Sequence, residues 1–312
     1  MKISSEKFQQ SSSWIKRNAR PLEAARWEYL FEGTSRDNVI KYLSAFQNDD
    51  GGFGNGIEPD FWSPYSSPMA TWVAGQILME IEASSDEAVV QSMLKYLANT
   101  YQKDSGMWSS VLPEYNQYPH APWWHWEEGV QDNWMFNPSA ELAAFLVYWS
   151  PQHSETAQIG WSVIEKALNH LFSVDEMDQH EINNYQRLLD VLKLHETTFT
   201  NKFPYSLNEV SDVIMSLAEG CIEWDVSAWS TGYKPLPLDL IASPEHPLYE
   251  KYSDLVQQNL LFYIETLTDE GTWDVTWNWE SYPEAFAIAS RYWQGILTVD
   301  RYKIFQSFGL LS

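Results

Sequence analysis

The side chains best suited to chemistry are the acids, histidines and tryptophans that crowd the segment 109–136. Carboxylates act as general acids and bases, and indole rings hold apolar or cationic groups. A loop this aromatic is costly to expose unless it covers a cavity or meets a partner. The candidate catalytic and ligand-binding residues of this segment are Glu127, Glu128, Asp132, His120, Trp123, Trp124, His125 and Trp126.

Three other segments contain the same mixture of acids and aromatic rings. In each, the acid is a candidate catalytic residue and the tryptophans are candidate ligand-binding residues. These candidates are Asp60 with Trp62, Asp225 with Trp229, and Glu280 with Trp277 and Trp279.

Two chemistries suit such a set of residues. Aromatic faces stabilise cations, including a carbocation that passes through a polyene. They also stack on sugar rings, where paired carboxylates serve as general acid and base at a glycosidic bond. In the second case, an acid of the segment 109–136 is expected to face an acid of another segment. The separation of the carboxylates in space decides between the two chemistries.

His120 and His125 lie five positions apart in this segment. With Glu127 or Asp132 they could bind a metal, but their spacing matches no metal-binding motif, so ordinary hydrogen-bonded histidines are expected. The sequence predicts no metal site and no cofactor.

A repeat positions these segments. The pattern Asp-x-Gly-x-aromatic occurs at 49–53, 104–108 and 269–273, and each copy is followed by Pro-x-Ala. The gap from Asp to Pro varies, being 19, 34 and 14 residues. Because insertions in a repeat protein map to the loops of one face, often the binding face, function is expected in these gaps. The Asp is expected to bond within the turn, and the aromatic residue to pack between neighbouring hairpins.

Apolar residues recur at intervals of three and four before each turn and after each Pro-x-Ala, which predicts helices on both sides. Ser67 and Asn137 are expected N-caps, each with proline at the first helical position. Before Pro283, Ser281 is the expected capping residue. The turn glycines are expected where φ becomes positive.

Two degenerate hairpins are predicted at 159–194 and 210–240, the second with its turn at Gly220. Helices at 22–30 and 302–310 are expected to pair and close a further unit. No stretch alternates as a strand, and no linker divides the chain. The prediction is an all-α protein of five to six helical hairpins, forming a single domain over 1–312.

The first copy reads Tyr42-Leu43, three residues, Gln47, three residues, Gly51-Gly52-Phe53. This resembles the Gln-Trp repeat of the terpenoid cyclase and protein prenyltransferase superfamily. The second copy is one residue longer, and the third has Leu267 in place of the glutamine. The resemblance implies an α/α toroid with a central aromatic cavity that binds or transforms an apolar, isoprenoid-type ligand.

The catalytic motifs of that superfamily are not found. There is no Asp-x-Asp-Asp acid and no Asp-rich metal motif, and Cys221 is preceded by Glu219 where the zinc site of prenyltransferases has Asp. Two alternatives therefore stay open. One is a carbohydrate-active hydrolase or lyase of the (α/α)6 type that uses the loop carboxylates. The other is a non-catalytic interaction module whose tryptophan-rich loop contacts a protein partner.

The composition limits the partners. With 19 basic and 43 acidic residues, the net charge is −24, which disfavours nucleic acid and anionic membrane surfaces. No apolar run is long enough to span a bilayer, and the N-terminus lacks the apolar core of a secretory signal. The sequence therefore predicts a soluble cytoplasmic protein that binds a small apolar molecule or a glycan.

Overall fold

A computed structural model of the chain describes residues 2–311, and 61% of the protein is helical. Within residues 2–311 there is no β-strand, although isolated β-bridges occur. The all-α prediction is confirmed. The helices are α1 Ser5–Asn18, α2 Pro21–Glu32, α3 Asp37–Leu43, α4 Pro68–Glu80, α5 Ala88–Thr100, α6 Ser139–Trp149, α7 Glu155–Leu171, α8 Gln179–Leu194, α9 Glu196–Lys202, α10 Leu207–Cys221, α11 Pro237–Leu240, α12 Tyr249–Glu265 and α13 Pro283–Ser307.

The chain forms two compact units, of which unit 1 contains residues 2–45 and 222–311. In this unit α2 packs against α1, α3 and α13, and α1 also packs against α13. The amide of Ile3 donates to the carbonyl oxygen of Leu310 at 2.9 Å, and Arg26 pairs with Asp300 at 3.0 Å. The predicted pairing of the first and last parts of the chain is therefore confirmed.

The separate C-terminal helix predicted at 302–310 is wrong, because α13 runs without a break from Pro283 to Ser307. Gly295 lies inside it, and a Cβ added there would come within 3.1 Å of Ala19. The glycine thus permits the close approach of the Ala19 and Glu23 side chains instead of ending the helix.

Unit 2 contains residues 46–221, and α6 is its central helix. It packs against α4, α5, α7 and α8, and every one of its residues except Tyr148 is buried. A helix that is apolar on all sides is stable only when other helices surround it. Both helices of the predicted hairpin at 159–194 are present, as α7 and α8, but each packs mainly on α6. The Tyr185 hydroxyl of α8 donates to the carbonyl oxygen of Ala167 on α7 at 2.8 Å.

The repeat turns have the predicted glycine conformation and buried aromatic residue, but the predicted bond of the repeat Asp differs. In the first copy it is the carboxylate of Asp50, not Asp49, that accepts from the amide of Gly52 at 3.0 Å. Gly51, Gly106 and Gly271 have φ values of 92°, 77° and 84°, which favour glycine. The aromatic residue of each copy is fully buried, and two of the three have an indole N–H to satisfy. Trp108 donates to the carbonyl of the preceding helix α5 at 2.9 Å, and Trp273 donates to that of α12 at 2.8 Å. These aromatic residues are packing anchors.

The helix N-caps predicted from the sequence are confirmed only in part. Ser67 caps α4, its hydroxyl accepting from the amide of Ala70 at 3.1 Å. Asn137 does not cap α6, which begins at Ser139 after a cis Asn137–Pro138 peptide bond. Its side-chain oxygen instead accepts from Asn184 at 3.0 Å. Ser281 does not cap α13, which starts at Pro283 after Tyr282 in a left-handed conformation.

The predicted hairpin at 210–240 is incomplete. Gly220 lies inside α10 and not at a turn, and the second helix is reduced to the short α11. None of the helices described over residues 2–311 combines the length and the apolar character needed to cross a membrane.

Candidate functional site

The segment that contains Asp60 and Trp62 contacts the segment 109–136 in unit 2. Phe61 and His120 form an antiparallel β-bridge. The amide of Trp62 donates to the carbonyl of Pro119 at 2.9 Å, and the amide of Ala121 donates to the carbonyl of Asp60 at 2.8 Å. We call residues 58–65 and 115–128 the bridged loops. They bring the backbone of Asp60 next to His120, so the first gap and the second gap build one surface.

Contacts between aromatic rings hold the bridged loops together. The ring of Phe61 stacks on Tyr115 with centroids 4.3 Å apart and meets Trp124 edge-on at 5.1 Å. Trp124 also stacks on Trp134 at 4.4 Å. Tyr115 and Trp124 are buried, so the candidate ligand-binding residue Trp124 lies within this stack.

The two candidate histidines form one hydrogen-bonded chain. His120 Nδ1 lies 2.6 Å from the carbonyl oxygen of Tyr118, which only accepts, so Nδ1 carries the proton. In the neutral ring His120 Nε2 then accepts from Nδ1 of His125 at 3.1 Å. Within residues 2–311 no group of three or more His, Cys, Asp or Glu side chains is arranged to hold a metal ion.

The acids of this surface lie in different environments. Glu127, Glu128 and Asp132 are exposed, whereas Glu58 and Asp60 are buried. Glu58 accepts from the amide of Asp60 at 2.9 Å and so supports the loop backbone.

The tryptophans differ in the same way. Trp123 and Trp126 are 39% and 37% exposed, while Trp62 is half-buried and donates to the carbonyl of Pro59 at 2.9 Å. Of the tryptophans predicted in these loops, only Trp123 and Trp126 present large exposed faces to solvent.

The acid candidates of unit 1 are exposed. Asp225 accepts from the amide and the hydroxyl of Ser227 at 2.9 and 2.7 Å. These bonds lower the pKa of Asp225 below its ordinary value. Glu280 has φ of 62°, and its amide donates to the side chain of Asn278 at 2.8 Å.

The tryptophan candidates of unit 1 are mainly interior. Trp229 and Trp279 are buried, at 3% and 0% exposure. Trp277 is half-buried and meets Trp293 edge-on at 5.3 Å. Packing accounts for Trp229 and Trp279.

The most unusual polar group of unit 2 is Glu141, which was not among the predicted site residues. It is the only charged residue in the run 138–149, and its side chain is 4% exposed. Its Oε2 accepts from the indole of Trp72 at 2.5 Å and from the amide of Gln76 at 2.8 Å. Arg187 lies 3.3 Å away and is half-exposed. We call these four residues the Glu141 cluster.

The packing of α4 on α6 explains this arrangement. Trp72 and Gln76 are one turn apart and therefore lie on the same face of α4. Between them, Gly75 leaves room for the ring of Phe145, which an added Cβ would overlap. The close approach brings both donors to Glu141.

Burial controls the ionisation of Glu141. It raises the pKa of the carboxyl above its ordinary value, although the charge of Arg187 and the bonds from Trp72, Arg187 and Gln76 act in the opposite direction. A buried acid with a shifted pKa and a specific charged partner is a candidate functional group. The available signal was the single charge within an apolar helical run.

Comparison with known proteins returns no match: no protein-family model fits the chain, and neither a curated protein nor a solved structure is similar to it.

Proposed function

We propose that the protein is an α/α toroid of the terpenoid cyclase and prenyltransferase kind, and that unit 2 binds an isoprenoid-type ligand at the Glu141 cluster. Two features support the toroid. The repeat turns carry the buried aromatic anchors that such repeats need, and α1 and α2 pack on α13. A closed ring requires its first and last helices to meet in this way.

The observation that carries the ligand proposal is the burial of one carboxyl on an otherwise apolar central helix. Keeping a carboxyl out of water costs several kcal/mol unless partners compensate, so proteins retain such groups where they serve a purpose. A mainly apolar ligand with one polar end matches this combination. The apolar part excludes water, and the polar end exchanges hydrogen bonds with the cluster.

The chemistry of the cluster favours an isoprenoid alcohol over a diphosphate. A hydroxyl donates to the Glu141 carboxylate and accepts from Gln76 or Arg187, which have further N–H groups, while Trp72 keeps its bond to Glu141. A diphosphate would place several negative charges beside Glu141 with one arginine to offset them. A carboxyl with a raised pKa is also a weak acid, which suits hydrogen bonding better than protonation of an alkene.

The test is a titration of the protein with farnesol and geranylgeraniol presented on cyclodextrin, followed by tryptophan fluorescence. Farnesyl diphosphate and dodecane are the comparison ligands. We expect the alcohols to bind most tightly, and Glu141→Gln to weaken them by about tenfold or more, which corresponds to roughly 1.4 kcal/mol. The matched control is Glu165→Gln, an exposed acid on α7. Absence of alcohol binding, or equal binding by Glu141→Gln, would refute the proposal.

A further inference from the structure

The bridged loops present three aromatic rings to solvent. Tyr65, Trp123 and Trp126 are 55%, 39% and 37% exposed. Among residues 2–311, neither Trp123 nor Trp126 is paired with another aromatic ring. We call these three residues the aromatic platform. The rings of Trp123 and Trp126 are therefore open to a ligand, whereas the ring of Tyr65 meets that of Tyr118 edge-on at 6.1 Å.

The backbone beneath the platform is held in place. Asn116 accepts from the amide of Trp126 at 2.8 Å and donates to its carbonyl at 2.9 Å. Trp124 lies between Trp123 and Trp126 in the sequence, but it is buried and stacks on Trp134. Rings carried by an ordered backbone lose little conformational entropy when a ligand binds.

The charge around the platform limits the ligand. The segments 42–94 and 104–165 contain neither lysine nor arginine, and Glu127 and Glu128 are exposed beside Trp126. An anionic ligand would meet repulsion from these carboxylates. Open aromatic faces beside carboxylate and imidazole groups instead suit a neutral ligand that is rich in hydroxyls.

We propose that the aromatic platform binds a neutral glycan, with sugar rings stacked on Trp123 and Trp126. The hydroxyls of the sugar donate to the carboxylates of Glu127 and Glu128, and the exposed His125 supplies a further polar contact. This site is distinct from the Glu141 cluster, requires no catalytic step, and stands whether or not an isoprenoid binds.

The experiment is affinity electrophoresis of the whole protein in gels containing soluble β-glucan, xylan or galactomannan, with hexasaccharides titrated by calorimetry. We expect at least one neutral polysaccharide to retard the wild type. Trp123→Ala and Trp126→Ala should each weaken this binding by about tenfold or more. The matched control is Trp224→Ala, because Trp224 is 40% exposed in unit 1 and should leave retardation unchanged. Unchanged circular dichroism verifies the fold of each variant.

Two results with ligands would overturn the proposal: no neutral polysaccharide retards the protein, or polygalacturonate retards it as strongly as a neutral polysaccharide does. Two further results would also overturn it: Trp224→Ala loses as much glycan binding as Trp123→Ala and Trp126→Ala, or the protein binds a lysine-rich peptide and no glycan. Glu141→Gln should keep its glycan binding, so failure here is distinguishable from failure of the isoprenoid proposal.

Discussion

At the scale of single residues, Glu141 is held by opposing effects. Burial disfavours its charge, while Trp72, Gln76 and Arg187 favour it. The net effect is a raised pKa, so the folded protein tolerates this charge rather than gaining from it. Replacement of Glu141 is therefore expected to change both the stability of the protein and its dependence on pH.

Truncation of Glu141 to alanine should destabilise the protein by about 2 kcal/mol, because the donors of Trp72 and Gln76 lose their acceptor. The free energy of unfolding in urea measures this loss. Glu165→Ala should change it by less than about 0.5 kcal/mol, since Glu165 is exposed on α7. Equal effects of the two substitutions would argue against a special role for the cluster in stability.

The pH dependence of stability follows from the same shift. The folded pKa of Glu141 lies above its unfolded value of 4.5. Its contribution is therefore fully present below the unfolded pKa and is lost as the pH rises through the folded pKa. We expect the unfolding free energy of the wild type, minus that of Glu141→Gln, to fall as the pH rises above 4.5 and to level off above the folded pKa. A difference that stays constant or grows with pH would contradict the assigned direction.

Sequence patterns predicted the residue types of the site better than their exposure. The platform tryptophans Trp123 and Trp126 are exposed, whereas Trp229 and Trp279 are buried. Spacing within a loop does not show which ring faces inward, because tertiary contacts decide it. Glu141 was missed for the related reason that its partners come from two other helices.

At the scale of elements, the repeat turn depends on the space available at each glycine. A Cβ at Gly51 would overlap the backbone carbonyl of Ser92, which cannot move aside. The exposed Gly129 also has positive φ, at 86°, but nothing lies within 4 Å of the added atom. The two positions therefore separate steric overlap from conformational strain.

We expect Gly129→Ala to cost about 1 kcal/mol, from φ strain alone. Gly51→Ala should cost at least about 3 kcal/mol, because overlap with backbone is added to the strain. Thermal and urea unfolding of the two variants measure the difference. Gly106→Ala should fall between them, since its Cβ meets the flexible side chain of Lys166. A smaller cost for Gly51 than for Gly129 would show that the turn is built differently.

The helix caps give a second comparison. Ser67→Ala should destabilise the protein by about 1 kcal/mol, because Ser67 caps α4. Ser281→Ala should change stability by less than about 0.5 kcal/mol, because Ser281 is exposed and α13 has no side-chain cap. Unfolding in urea distinguishes these results. A large loss of stability in Ser281→Ala would instead indicate that Ser281 caps α13, as the sequence predicts.

Helical periodicity predicted the presence of most helices, but their ends were less reliable. Apolar stripes located α4, α5, α6 and α12, because spacings of three and four directly reflect a buried face. The start of α6 was misplaced because Asn137 bonds to α8 and does not cap its own helix. Such long-range partners are not visible in a local sequence window.

At the scale of the whole molecule, the charge should affect stability. A net charge of −24 creates self-repulsion in the compact state, and dissolved salt screens it. We expect the Tm to rise by a few degrees as salt increases from low to physiological ionic strength. Sodium chloride and choline chloride should act equally, because screening depends on ionic strength. A rise with one cation alone would indicate specific ion binding instead.

The single closed ring over 1–312 stays a prediction, and with it the central cavity. Its supports are the pairing of α1 and α2 with α13 and the repeated turns, each of which lies within one unit. Repeat architecture is readable from sequence because every unit buries the same face. The ligand is not readable in this way, since it depends on the gaps that differ between copies.

The most direct measurement is an experimental structure determined with geranylgeraniol bound. We expect a ring of helical hairpins around the ligand, with the alcohol oxygen within hydrogen-bond distance of the Glu141 carboxyl and of a donor from Gln76 or Arg187. An open arrangement of helices, or an alcohol bound away from a Glu141 cluster that is sealed by packing, would contradict it.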